Sequence, residues 1–225
     1  MELLSVMGAR SMWFIDPLDL NPRGKSLFPD IIHWLKDTYK FAKVPSDMND
    51  VDDTKGLAFS NGTFKTIGGN SIAVSLTFYN DGFKGDTCSS TKDTDAFLGD
   101  ALASAATQFG LSYTPEMVRK KLYQSQLNVR CNRPLVVLNP ELKTFCDKLS
   151  SLTIQRDPSP IFELSGLRFW TETTVLSGLA VNIADFRFER KLTFPFSENR
   201  YFSVAPFDTD NHLSILQELE SILAE

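Results

Sequence analysis

The sequence has few of the side chains on which most metal and nucleophilic chemistry depends. It contains only two histidines, His33 and His212, and three widely spaced cysteines, Cys88, Cys131 and Cys146. No Cys-x-x-Cys motif or other close ligand pair occurs, so no structural zinc site is expected. An odd number of cysteines is a poor disulfide framework, and reduced thiols are typical of a cytoplasmic protein.

Long apolar runs and phosphate-binding glycine motifs are also missing. No stretch approaches 18 consecutive apolar residues, and the N-terminal residues lack a basic region followed by an apolar one. We therefore expect neither a membrane span nor a signal peptide. Gly-x-Ser-x-Gly, Rossmann and Walker patterns are absent. The glycine pair in residues 67–70 lacks a following helix, which is typical of a hairpin turn. No cofactor is expected.

What the sequence does contain is a globular composition with an uneven charge pattern. Its 225 residues are 42% hydrophobic and carry a net charge of −5, which suits one large domain or two tightly joined ones. Residues 45–100 hold nine Asp and four Lys, residues 207–225 hold five acids and no cation, and residues 101–206 hold 13 Lys and Arg against nine acids. The negative total argues weakly against a general nucleic-acid binder, while a local basic face stays open.

Apolar periodicity and capping residues predict four helices. They begin near Ser26, at Asp93 or Thr94, at Pro140 and after Asp208. The first predicted helix carries the apolar residues Ile31, Ile32, Leu35 and Tyr39. The last carries the apolar stripe Leu213, Leu216, Leu219, Ile222 and Leu223.

Alternating apolar residues predict the strands. Ser71–Tyr79 alternates most clearly, with Ile72, Val74, Leu76 and Phe78 on one face. Further strands are predicted in residues 57–66, 119–131, 161–171, 179–195 and 201–206. In the segment 179–195 and just beyond it, the shared face consists of Phe186, Phe188, Leu192, Phe194 and Phe196. Residues 1–25 are predicted to be largely irregular, with Met12–Ile15 as a candidate short strand. Asn61-Gly62 is predicted to form a plain turn.

These elements predict an α+β fold. Strands outnumber helices without a strand–helix–strand rhythm, so we expect a mainly antiparallel sheet flanked by about four helices, with the C-terminal helix packed on the sheet. Arg156–Pro160 is the best linker candidate. It separates an N-terminal α+β region, residues 1–155, from C-terminal antiparallel strands and a terminal helix, residues 161–225. We expect the two to pack as one compact unit.

Four aspartates between a predicted strand and a predicted helix are candidate metal ligands: Asp81, Asp86, Asp93 and Asp95. Many metal-dependent hydrolases and nucleases place carboxylates after a strand and before a helix. The same residues also suit a structural interpretation, because Asp81-Gly82 makes a turn and acids favour a helix N-terminus. The structural interpretation is preferred, so no metal is expected.

A basic stretch is the candidate for binding single-stranded nucleic acid. It consists of Arg119, Lys120, Lys121, Tyr123, Arg130 and Arg133. Cations attract a phosphate backbone and aromatic rings stack on bases. The alternative is a solvated strand face that meets acidic segments across a protein interface.

The absent catalytic motifs and the abundant aromatics together favour a binding role. The chain has 18 Phe, and any that stay exposed would mark a partner surface. His212 is interpreted as part of a helix-capping region and His33 as equally structural. We expect a non-catalytic interaction or assembly protein that binds another protein or itself, such as an immunity- or antitoxin-type inhibitor or a structural subunit of a phage or defence system. The hydrolase and the single-strand binder are the alternatives.

Overall fold

The computed structural model describes residues 1–24, 27, 29–45, 56–153, 160–170 and 185–224. In these residues the strands are β1 (Glu2–Phe14), β2 (Leu57–Lys65), β3 (Ser71–Tyr79), β4 (Gly82–Thr87), β5 (Lys120–Arg130), β6 (Gly166–Phe169), β7 (Phe186–Arg190) and β8 (Arg200–Ala205). The helices are α1 (Pro17–Leu20), α2 (Asp30–Tyr39), α3 (Thr91–Phe109), α4 (Pro140–Leu152) and α5 (Thr209–Ala224). The predicted α+β class is confirmed. Within the described ranges, no helix combines the length and apolar character that crossing a bilayer requires.

The strands hydrogen-bond in the order β2-β3-β4-β1-β5-β8-β7-β6. The pairs β1–β4, β2–β3, β3–β4, β6–β7 and β7–β8 are antiparallel, as predicted. The chain divides into two compact units. We call residues 6–125 with 207–209 the larger unit, and residues 1–5, 126–206 and 210–225 the smaller unit. Strands β1 and β5 contribute residues to both.

The core of the larger unit lies between its strands and the helices α2 and α3. Val74 and Leu76 of β3 are almost fully buried, and Ile72 and Phe78 pack against the same cluster. The predicted inner face of β3 is therefore confirmed. The helices contribute the apolar residues Ile32, Leu35, Tyr39, Phe97, Leu98, Ala101 and Leu102.

Residues 2–14 form β1, so the prediction that residues 1–25 are largely irregular is wrong. The strand lies between β4 and β5 in the sheet and pairs with β4, with Ala9 opposite Thr87. Ala9, Ser11 and Trp13 are buried, in the two-residue period of a strand. Because one of these side chains is small and another polar, hydropathy does not reveal the alternation.

Asn61 and Gly62 lie inside β2, so the predicted turn at this point is wrong. The register with β3 shifts between Phe59 and Gly62, which marks a β-bulge. Asn61 adopts a φ of 58°, a conformation that Asn tolerates better than most residues. A Cβ on Gly62 would lie 2.4 Å from the Phe41 ring, so glycine lets this ring pack on the strand. The chain turns instead at residues 67–70, as predicted.

Helix α3 begins at Thr91, two residues before the earliest predicted start. Ser90 is its N-cap, and the Ser90 hydroxyl accepts the Asp93 N–H at 3.1 Å. At the other end, Gly110 adopts a φ of 62° and donates its N–H to the Ala106 carbonyl. The predicted C-terminal glycine is therefore confirmed.

In the smaller unit, the ring of Phe188 on β7 stacks on that of Tyr201 on β8, with centroids 4.4 Å apart. Strand β7 ends at Arg190, so the predicted strand to residue 195 is too long. The predicted shared face does not extend past β7, because Leu192 is exposed in a turn. Strand β6 is also shorter than the predicted segment 161–171.

Helix α5 packs on the sheet, as predicted. Leu216 and Leu223 are buried, and the His212 ring meets Phe186 of β7 edge-on. Ile222 is 57% exposed and does not belong to the inner face. His212 lies in the first turn of α5, as predicted, and its ring also takes part in that face.

Some predictions fall on residues that the structure does not describe. These are the helix start near Ser26 and most of the linker at residues 156–160. Helix α2 is described from Asp30, directly after Pro29. The division of the chain between residues 155 and 161 stays a prediction.

Replacing Leu76 by Asp is expected to unfold the larger unit, because an unpaired carboxylate would enter its core. The cost should be about 4 kcal/mol or more. Ala73→Asp is the matched control, since Ala73 is exposed on the other face of the same strand. Thermal melts followed by circular dichroism would separate the two variants. A Leu76→Asp protein that melts like the wild type would contradict the placement of β3.

Candidate functional site

Two of the candidate acids lie near the turn that joins β3 to β4. Asp81 is exposed in this turn, and its backbone carbonyl accepts the Ile15 N–H at 3.1 Å. Asp86 lies on β4, where its Oδ1 accepts a hydrogen bond from Arg10 Nε at 2.6 Å. Lys84 Nζ lies 3.8 Å from its other oxygen. Asp86 is therefore neutralised by cations of its own sheet.

Asp93 belongs to the N-terminal cap of α3. Its Oδ2 accepts the Ser90 hydroxyl at 2.8 Å and the Ser89 hydroxyl as well. Since the Ser90 hydroxyl also accepts the Asp93 N–H, the two residues bind each other at the start of α3. The structural interpretation of Asp93 is supported by these contacts.

Asp95 is the most highly connected of the four acids. Its Oδ1 accepts the Trp13 indole N–H at 2.8 Å. Its Oδ2 accepts the Tyr123 hydroxyl at 2.9 Å and Lys121 Nζ at 3.2 Å. Lys121 Nζ also lies 4.0 Å from the Trp13 ring centroid. Burial and the hydrogen bond to Asp95 raise the pKa of Tyr123, which keeps this hydroxyl protonated as a donor.

The carboxylates of Asp86, Asp93 and Asp95 thus have separate partners within the chain. In the part of the chain that the structure describes, no three His, Cys, Asp or Glu side chains form a group that could hold a metal ion. Sequence reasoning found the turn and the cap, which are local. It missed the contacts of Arg10 and Trp13, because the sequence indicated no more than a short strand over residues 12–15 of this region.

In the larger unit, three residues of the basic stretch bind aspartate side chains. Arg119 Nη2 lies 2.7 Å from Asp19 Oδ2 and 3.9 Å from Asp16 Oδ2. Lys121 and Tyr123 both bind Asp95, as described above. Lys120 is exposed. The positive charges of Arg119 and Lys121 are therefore balanced by acids of the same chain.

The other two members of the stretch lie in the smaller unit. Arg130 Nη1 lies 3.1 Å from Glu2 Oε2, and both side chains are largely open to solvent. Arg133 is exposed. The exposed Arg130–Glu2 pair contributes little to stability, because solvent screens both charges.

The two histidines differ sharply in their surroundings. His33 is exposed on α2, with Nδ1 3.2 Å from the Pro29 carbonyl oxygen. His212 is fully buried, with Nε2 2.8 Å from Ser203 Oγ. The Ser203 hydroxyl donates to the Arg187 carbonyl at 2.8 Å, so the neutral imidazole donates its Nε2–H to Ser203. Burial lowers the pKa of His212 to about 4.

A surface that the sequence did not single out lies on α4. The Asn139 side chain caps this helix by accepting the Glu141 N–H at 2.8 Å, and Pro140 occupies its first turn. Its apolar residues repeat at helical spacing along one face. We call this set the α4 stripe: Leu142, Phe145, Cys146, Leu149 and Leu152. None of the 13 side chains of α4 is buried, and Phe145 and Leu152 are 56% and 73% exposed.

Neighbouring residues extend the α4 stripe. The Phe162 N–H donates to Ser150 Oγ at 3.0 Å, which holds the segment 160–165 beside the helix. Ile161 and Phe162 are both exposed. Exposed apolar residues are therefore concentrated on and beside α4, in a pattern typical of an interaction site. Its spacing was visible in the sequence, but its lack of cover was not.

Charged residues flank the α4 stripe. Glu141 and Lys148 are seven residues apart, which is two helical turns, so they lie on the same side of the stripe. One is an acid near the start of the helix and the other a cation towards its end. Both are exposed.

Comparison with known proteins adds no family: no family model matches the chain, and no curated protein matches it.

The buried His212 predicts a loss of stability in mild acid. Between pH 6.5 and about 4, the unfolded chain protonates His212 and the folded protein does not. The contribution of His212 is therefore complete above pH 6.5 and falls as the pH drops towards 4, by about 3 kcal/mol.

Urea unfolding at pH 7, 5.5 and 4.5 measures this effect. His212→Gln should flatten the pH dependence relative to the wild type, because its side chain does not titrate. His33→Gln, which removes an exposed histidine, is the matched control. Equal pH slopes for the wild type and His212→Gln would show that His212 titrates normally in the folded state.

Proposed function

We propose that the protein is a non-catalytic assembly protein that associates with a second copy of itself through the α4 stripe. The observation that carries this proposal is an amphipathic helix of 13 residues with no buried side chain. A helix in a globular protein normally buries its apolar face, because that burial supplies most of its stability. Each large side chain of the stripe would contribute roughly 1.5–3 kcal/mol if it were fully buried.

The flanking charges support a second copy as the partner. When two identical helices pack antiparallel about a two-fold axis, the same flank of each faces the other. Glu141 of one copy then lies near Lys148 of the other, and the pair occurs twice. Opposite charges at the two ends of one flank therefore make the surface complementary to itself. Phe145 and Cys146 would lie close to the axis.

Self-association agrees with one of the classes that the sequence favours, a structural subunit of a larger assembly. An inhibitor of the immunity or antitoxin type would use the same surface on a different protein. The three cysteines are free in the structure, which supports the cytoplasm as the compartment.

Removing the central aromatic side chain should separate the copies. Wild-type protein at about 1–100 µM is expected to show a dimer mass by sedimentation equilibrium, and Phe145→Glu a monomer mass with unchanged circular dichroism. The dissociation constant should rise about 100-fold or more, because a charge would be placed in an apolar interface. Leu192→Glu is the control, since Leu192 is 74% exposed in the same unit but outside α4.

The antiparallel arrangement makes a sharper prediction through charge reversal. Glu141→Lys and Lys148→Glu should each weaken the dimer about 3- to 10-fold, because each creates like charges across the axis twice. The double variant restores both attractive pairs and should recover wild-type affinity. A wild-type protein that stays monomeric at 100 µM would refute self-association. If neither Phe145→Glu nor the charge reversals weakened the dimer, the dimer interface would lie outside the α4 stripe.

A further inference from the structure

The larger unit contains a cavity that none of the contacts described above explains. Its volume is about 230 Å³, and it lies between α2, α3 and the strands β3 and β4. Its inner part is formed by the nearly inaccessible side chains of Leu35, Leu76 and Leu98. Protein interiors seldom leave voids much larger than a water molecule, so a space of this size is unusual for a unit of this length.

The space exists because α3 presents small residues to the sheet. Ala101 and Ala105 are one turn apart on the buried face of α3, and both line the cavity. A leucine at either position would project into it. The lining is otherwise aliphatic and aromatic: Leu20, Leu27, Ile31, Leu35, Leu76, Phe78, Phe83, Leu98, Leu102 and Leu111, with Asn21 as the one polar residue among the described ones.

The cavity is accessible from one side. Asn21, Leu27, Ile31 and Leu111 line it and are only partly buried, whereas Leu98 is fully buried. A small molecule can therefore enter beside these partly buried residues without unfolding the core. Water molecules are poorly stabilised in the cavity, because an ordered water needs two to four polar hydrogen-bond partners.

We propose that this cavity is a binding site for a compact hydrocarbon group, either an alkyl chain or an aromatic ring system. An apolar cavity of about 150 Å³ admits benzene, so by proportion 230 Å³ accommodates roughly nine carbon atoms. A charged group is excluded from the inner end, since no described residue there could pair with it. Any polar group of the ligand would lie at the outer end, near Asn21.

Naphthalene and 1-octanol are the probes, because they present a ring system and a chain of suitable size. Each should raise the midpoint of thermal unfolding by about 2 °C or more near saturation, as a ligand specific for the folded state must. Whichever probe gives the larger shift at equal occupancy identifies the preferred shape. Octanoic acid at pH 8 should bind more weakly than 1-octanol if its carboxylate has to approach the apolar part.

Ala105→Leu should weaken binding of both probes at least 10-fold, because it fills the space they would occupy. Ala103→Leu is the matched control, since Ala103 is exposed on the same helix, and it should change affinity less than 2-fold.

If Ala105→Leu does not fold, nuclear Overhauser contacts between naphthalene protons and the methyl groups of Leu76 and Leu98 in the wild type replace it. Absence of any shift and any such contact with both probes would overturn the proposal, as would equal binding by Ala105→Leu. These measurements do not depend on the oligomeric state, so they stand or fall independently of the α4 stripe.

Discussion

The pairing of β1 inside the sheet is the constraint on which the rest of the structure depends. β1 lies between β4 and β5, so both of its backbone edges take part in the sheet. Its side chains also anchor α3: the Ser11 hydroxyl lies 2.6 Å from that of Thr94, and the Trp13 indole binds Asp95. On the other face, Arg10 neutralises Asp86. Without β1, Thr94, Asp95 and Asp86 would each lose one of their hydrogen-bond partners, and lost hydrogen bonds of this kind lower stability.

The long-range contacts of β1 also explain which parts of the structure could be predicted from the sequence. Strand β3 and the ends of α3 follow from local signals, namely strict alternation, a capping serine and a C-terminal glycine. Most of β1 does not, because its buried positions include Ala9 and Ser11, and its buried aromatics, Trp13 and Phe14, lie only at its end. The charge of Arg10 also argues against a central strand until Asp86, 76 residues away, is known to lie beside it. Long-range compensation of this kind leaves no local pattern.

The candidate sites show the same limit. The sequence correctly places Asp93 at a helix N-terminus, but it does not show that Asp95 meets Trp13 and Tyr123 from two different strands. It also shows the spacing of the α4 stripe without showing that nothing in the described part of the chain covers it. The cavity is less visible still, because Ala101 and Ala105 look like ordinary core residues.

The central position of β1 also has a consequence for synthesis on the ribosome. The neighbours of β1 in the sheet begin at Gly82 and Lys120, about 70 and 105 residues after β1 ends. At roughly 5–20 residues per second, β1 is translated about 5–20 s before β5 exists to pair with it. During that interval its unpaired edges and the side chains of Leu3, Leu4 and Met7 are open to other nascent chains.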